Sequence, residues 1–329
     1  MNQQRICVIT DTGTDTPADF CAKHDVRVVP LRVNYSDGSS YESGVDITTD
    51  EIVARFGQEV PKTSLPSPER IADAFAQAKA DGYVAAVFVS ISSGLSATCE
   101  TARMVARTME DFPVAVVDTR SIGVAAGLVV MEAVRQIEAG VPFSSLPVML
   151  EITAKSTSVF FAVRELSFLR AGGRISEAAY RLGSVLNIKP VFTCDEEGHY
   201  AVRKKARGWG RALDAEVALI EELARKYPKV RLAISCTEAC ADAYADMEAK
   251  LRRQIYNAVE IVRSDISPAL LVHTGPDLIG LAVQGLSAAA AGPCRRRRPN
   301  ASRPARSSRF SPGGLCAGLW CGTAAEPTP

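Results

Sequence analysis

The chain has 329 residues, 47% of them hydrophobic and 23% charged, at a net charge of +1, which is ordinary for a globular protein and long enough for two hydrophobic cores. No apolar run reaches the roughly 18 residues of a spanning helix, and the first residues lack the core of a secretory signal, so the cytoplasm is the expected location. Segment 287–329 holds seven Arg and one Glu, which leaves the rest mildly acidic and without the basic footprint of a nucleic-acid binder.

In chain order, "RICVITD" (5–11), "VRVVPLRVN" (26–34), "YVAAVFVS" (83–90) and "VAVVD" (114–118) read as buried strands, with helices over 68–80 and 95–109 between them. Ser67-Pro68-Glu69 is a helix start: hydroxyl cap, Pro at the first position, acid in the first turn. Such alternation predicts a mainly parallel sheet covered by helices, over 1–155. Beyond it, "TSVFFAV" (157–163), the hairpin "KPVFTCDEEGHYAVRKKA" (189–206), "VRLAISC" (230–236) and "AVEIVRSD" (258–265), with helices near 209–227 and 238–252, predict a C-terminal mixed-sheet α/β domain over 156–286. Residues 287–329 are Arg-rich, Lys-free and aperiodic. They read as a disordered tail or a gene-model artefact, with a basic tail for nucleic acid or anionic lipid as the alternative.

Ligands of open parallel sheets sit at the carboxyl ends of the strands, and polar clusters fall there: Asp11 to Asp15, Ser92 to Ser96, and Asp118-Thr119. The stretch "SISSGLSAT" (90–98) has one glycine and no lysine, so it is neither a P-loop nor a dinucleotide fingerprint. A serine hydrolase would need Gly-x-Ser-x-Gly, which is absent. His24 and His199 read as surface residues, leaving His273 as the one candidate base. Nine cysteines, at 7, 21, 99, 194, 236, 240, 294, 316 and 321, form no C-x-x-C pair. They predict reduced thiols and no metal site, since Cys236 and Cys240 supply only two ligands. Neutral hydroxyl donors with apolar walls behind them suit capture of an amphiphilic acid without chemistry. Singly, each cluster has a plain structural use: Ser67 as a helix cap, Ser92 and Ser96 on helix-end N–H groups, Asp11-Thr12 as a turn.

Eight ordered motifs, "ITDTGTD" (9–15), "KTSLPSP" (62–68), "SISSGLSAT", "DTRSIGVAAG" (118–127), "LSFLRAGGRIS" (166–176), "LNIKPVFTCDEEGHY" (186–200), "KKARGWGRAL" (204–213) and "HTGP" (273–276), resemble the DegV family of bacterial fatty-acid-binding proteins over about residues 5–285. The resemblance implies a two-domain protein holding one long-chain fatty acid between its domains, with no cofactor and no catalytic residues. It implies that Thr63 and Ser93 grip the carboxylate, with Ser64, Ser92, Ser96 and His273 nearby. It also implies presentation of that carboxylate to a separate ATP-dependent fatty acid kinase, which forms an acyl-phosphate for phospholipid synthesis.

Arg174, Arg207 and His273, expected on projecting loops, would serve the kinase partner, and the carrier is expected to be a monomer with at most a transient membrane encounter. Leu65, Ala97 and Asp277 depart from the family's usual Gln, Gly and Gly. Asp277 adds a negative charge near the expected mouth, which bears on partner recognition. The alternatives are an acyl-ester hydrolase using Ser93 and His273, and a lipid-sensing regulator.

Overall fold

Strand β1 (Ile6–Asp11) is buried at every position, as a strand covered on both faces must be. It lies inside the first of three sheets in a computed structural model that describes residues 1–184 and 187–286. Helix α1 (Ala18–His24) leads to β2 (Arg27–Val29). An excursion follows through β3 (Arg32–Asn34), β4 (Ser40–Glu42), α2 (Thr49–Arg55) and β5 (Lys62–Ser64). The chain returns through α3 (Pro68–Ala80), β6 (Ala85–Ser90), α4 (Thr98–Ala106) and β7 (Val114–Asp118). The first sheet has the order β2-β1-β6-β7 with every pairing parallel. Helix α3 begins where its sequence signal falls, with Ser67 Oγ accepting the Arg70 N–H at 3.2 Å.

The run 26–34 is not one strand. It divides at Pro30-Leu31, with β2 in the parallel sheet and β3 in a separate antiparallel sheet of order β4-β3-β5. Pro30 has no N–H to give a ladder, so the run can break there and change sheets.

Helices α5 (Gly123–Glu138) and α6 (Leu146–Lys155) precede β8 (Thr157–Val163), α7 (Ser167–Ala171) and α8 (Glu177–Ser184). The remaining elements are β9 (Ile188–Cys194), β10 (Tyr200–Arg207), α9 (Trp209–Ala224), β11 (Lys229–Cys236), α10 (Ala241–Gln254), β12 (Ala258–Asp265), α11 (Pro268–Thr274) and β13 (Leu278–Leu286). They build a mixed sheet, β10-β9-β8-β13-β11-β12, in which only β11 and β12 run parallel. Strand β13, not foreseen from the pattern, fills the middle of that sheet. Its run "LIGLAVQGL" is buried at all but the last residue.

Helix α5 joins the two large sheets. It packs on β1 and β6 from one side and on β8, β11 and β13 from the other, which explains an apolar sequence all round its circumference. Gly127 lets the turn after β1 come close, since a Cβ there would lie 2.7 Å from the Thr14 carbonyl oxygen. The polar exceptions pair across the joint. Glu132 meets Arg231 of β11, which also donates to Gln284 at 3.0 Å, and Arg135 meets Glu260 of β12 at 2.8 Å. Among the described residues no helix is long and apolar enough to cross a membrane. The Arg-rich segment 287–329, expected as a tail, lies outside the described residues.

Candidate functional site

The carboxyl ends of β1, β6 and β7 stand side by side. Asp11, at the end of β1, accepts the N–H groups of Gly13 at 2.9 Å and Ile91 at 3.0 Å and the Ser90 hydroxyl at 3.2 Å. Burial pushes its carboxyl up to about 6, against three hydrogen bonds that favour the charge. Asp11 therefore ties two strand-end loops together.

The 92–96 loop does several jobs at once. Ser92 is buried, donates to the Gly198 carbonyl at 2.8 Å and accepts the Gly94 N–H at 3.0 Å, which fastens the loop to the β9–β10 hairpin. Ser93 is exposed and donates its hydroxyl to Asp118 Oδ2 at 2.6 Å. Ser96 stands 2.8 Å from Thr98 Oγ1 and accepts the Thr98 N–H at 3.3 Å, the turn geometry of a helix start. The Ser93–His273 pairing that a hydrolase would use is not made here, because each residue has another partner.

Thr63 and His273 do come together. Thr63 Oγ1, on β5, lies 2.6 Å from His273 Nε2. His273 was expected on a loop, but it sits in the last turn of α11 and is 8% exposed, because "PALLVHT" continues as a helix up to Gly275. Burial, and then the charge of Arg174, push its imidazole down to about 3, so it is neutral near pH 7. Its Nδ1 has no hydrogen-bond partner and faces Gly172, where a Cβ would come within 2.0 Å. Arg174 donates to the Gly172 carbonyl and, at 3.4 Å, to the Leu95 carbonyl. It thus joins the 172 turn to the 92–96 loop and stands beside the imidazole.

Ser64 accepts from Asn34 Nδ2 at 3.1 Å within the small sheet. Arg207 ends β10 and is exposed, with no ion pair among the described residues. Asp277 is paired with Arg164 at 3.1 Å, and that guanidinium lies 4.9 Å above the Trp209 ring. The charge expected at the mouth is therefore matched by a neighbour.

Against the mixed sheet, beside α11 and the start of α5, lies a narrow cavity of about 30 Å³, walled by Val159, Phe161, Ile266, Leu270 and Leu278 and reaching Thr274, the neighbour of His273. Its polar members are Asp15, which belongs to the strand-end cluster read from the sequence, and Tyr200, Ser235 and Thr274, for which the sequence carries no such signal. Asp15 was visible as the second acid of "DTGTD", but nothing in a turn sequence shows that its side chain faces a cavity.

The geometry is that of a two-domain α/β protein, a parallel sheet and a mixed sheet with an apolar layer between them and a hydroxyl–imidazole pair at one end. The chain belongs to the DegV family, described as uncharacterised proteins, whose pattern it matches over residues 5–285. A DegV domain-containing protein of Clostridium acetobutylicum is 31% identical over 279 residues, covering 84% of this chain and 98% of the relative. A solved structure from Thermus thermophilus, described as fatty acid binding of a DegV family protein, is 31% identical with a TM-score of 0.78 over 86% of this chain and all of that one. A stearic acid-binding protein from Eubacterium ventriosum is 26% identical, with a TM-score of 0.75 over 87% of this chain and 98% of its own.

Proposed function

We propose that the protein binds one long-chain fatty acid, its carboxylate at Thr63 and His273 and its tail along the apolar layer around α11 and α5. The observation that carries this reading is the Thr63–His273 pair at 2.6 Å, beside the cation Arg174 and next to the apolar cluster of Leu169, Leu270, Leu271 and Val272. Similar proteins described as fatty-acid binding support it. A fourteen-methylene tail is worth on the order of 11 kcal/mol gross at ~0.8 kcal/mol per CH₂. A hydrogen bond to a charged head adds about 1.5–3 kcal/mol. The tail sets affinity and the head sets orientation.

In this reading the domains are 1–155 and 156–286, and the protein is a non-catalytic cytoplasmic carrier. It presents the carboxylate to a separate ATP-dependent kinase that forms an acyl-phosphate, a step that needs a positioned oxygen. Ser93 reaches the head by exchanging Asp118 for the carboxylate, and exposed Arg207 is the partner-facing charge. Native mass spectrometry of the protein expressed in a fatty-acid-containing host tests the first part, since protein free of lipid would refute it. The second part is tested with Arg207→Ala, which should keep its bound acid and lose kinase-dependent acyl-phosphate formation.

A further inference from the structure

A polar cleft of about 970 Å³ opens where the carboxyl end of β7 faces the last turn of α6, the start of β8 and the β9–β10 hairpin. That is the upper end of the roughly 300–1,000 Å³ of small-molecule sites. Four cations line it, Arg103, Arg120, Lys155 and Arg203, and so do four acids, Asp118, Glu151, Asp195 and Glu196. Among the described residues no ion pair joins any of these cations to any of these acids. Arg103 pairs with Glu100 and Arg203 stands 3.7 Å from Glu222, both outside the cleft. Charges of both signs thus face one space without cancelling each other.

Irregular backbone puts two of the cations there. Arg120 has a left-handed φ of 47°, unusual for a residue with a side chain and typical of ligand clamps. Its N–H donates to Asp118 Oδ1 at 2.9 Å, and its Nη1 donates to the Glu196 carbonyl at 2.9 Å. The guanidinium is therefore fixed between the end of β7 and the hairpin. Arg203 falls at the register shift between Val202 and Lys204 in the β9–β10 ladder, and a bulge of this kind re-aims a side chain. Ser121, also a lining residue, is 3% exposed, and its Oγ has no hydrogen-bond partner. Buried polar groups are nearly always satisfied, so this hydroxyl adds an unmet polar group to the cleft wall.

We propose that this cleft binds a small phosphorylated polyol, its phosphate on the cations and its hydroxyl groups on the carboxylates. Guanidinium forks match phosphate oxygens in geometry and charge. Ionised carboxylates only accept hydrogen bonds, so they select hydroxyl donors. No aromatic side chain lines the cleft, which leaves a nucleobase without a stacking surface, and the four acids would repel a triphosphate. Neither Lys155 nor Arg203 belongs to the fatty-acid site, so the two ligands can be tested apart.

The test is calorimetric titration of the full chain with glucose 6-phosphate and glycerol 3-phosphate, beside glucose, glycerol and inorganic phosphate. At least one phosphorylated polyol should bind with a Kd below ~1 mM, about tenfold or more tighter than phosphate or its unphosphorylated parent. Lys155→Gln and Arg203→Gln should each weaken that binding about tenfold, with melting temperature and bound fatty acid unchanged. Absence of binding by both phosphorylated polyols overturns the inference. So does equal binding of inorganic phosphate, which would mean an anion site without polyol recognition. Wild-type affinity in both variants would also overturn it, since the phosphate would then sit elsewhere. None of these results touches the fatty-acid reading.

Discussion

Thr63 and His273 are 210 positions apart in the chain and 2.6 Å apart in space. The hydroxyl comes from the small sheet of the N-terminal half, and the imidazole from the helix that leads into the last strand. Neither half alone contains the pair. Thr63→Val keeps the shape and removes the hydroxyl, so it should weaken fatty-acid binding by ~10- to 200-fold while the fold survives. Displacement titration against a fluorescent acid reads the first effect and circular dichroism the second. Unchanged affinity would place the carboxylate elsewhere.

The hairpin that holds the 92–96 loop depends on one glycine. Gly198 has φ 84°, and a Cβ there would lie 1.9 Å from Ser92 Oγ. Gly198→Ala should cost about 1–3 kcal/mol for the backbone alone, with more from the displaced serine. The expected result is a melting temperature several degrees lower. An unshifted transition would mean that the loop moves aside freely.

The buried acids make stability depend on pH with an unusual sign. Asp15 and Asp11 have folded values of about 8 and about 6, both above the ordinary carboxylate value. The native state therefore binds more protons than the unfolded one, and their contribution is complete below about pH 4 and lost as pH rises toward 8. Asp15→Asn removes the larger share. Its melting temperature relative to wild type should climb between pH 5 and pH 9, which a pH series in a thermal scan would show. A difference independent of pH would mean that Asp15 is ionised in the fold throughout that range.

The joint between α5 and β11 carries a salt bridge, Glu132 with Arg231, whose side chains are 7% and 15% exposed. Glu132→Gln leaves a largely buried guanidinium with only Gln284 and a 3.5 Å approach to Glu260. Loss of about 3–5 kcal/mol is expected from denaturant unfolding. Replacing both partners together, Glu132→Leu with Arg231→Met, should cost clearly less than the single change. Equal costs would show that volume rather than charge matters at this joint.

The long alternation of strands and helices was legible because burial leaves unbroken β-branched runs. The start of α3 was legible because Ser67-Pro68-Glu69 states its own capping chemistry. The split of 26–34 was hidden because Val28 and Val33 look alike whichever sheet receives them. Strand β13 was hidden because "LIGLAVQGL", with two glycines, is equally a loop or a buried segment until β8 and β11 flank it. Within the site, hydroxyl residue types could be read from the sequence but their orientations could not. Ser92 turns to Gly198, Ser93 to Asp118 and Thr63 to His273, and those choices depend on chain segments far away. Asp15 shows the same limit, since an acid in a turn and an acid on a cavity wall are written with the same letter.

Helix α5 is a spine shared by two jaws. Fourteen of its sixteen residues are buried, so swinging the jaws apart would bare its sides at about 2.5 kcal/mol for every 100 Å² of apolar surface. The protein therefore has no hinge along that line. On the proposed fatty-acid reading, the same rigidity that keeps the jaws clenched would hold a captured acid at one fixed depth.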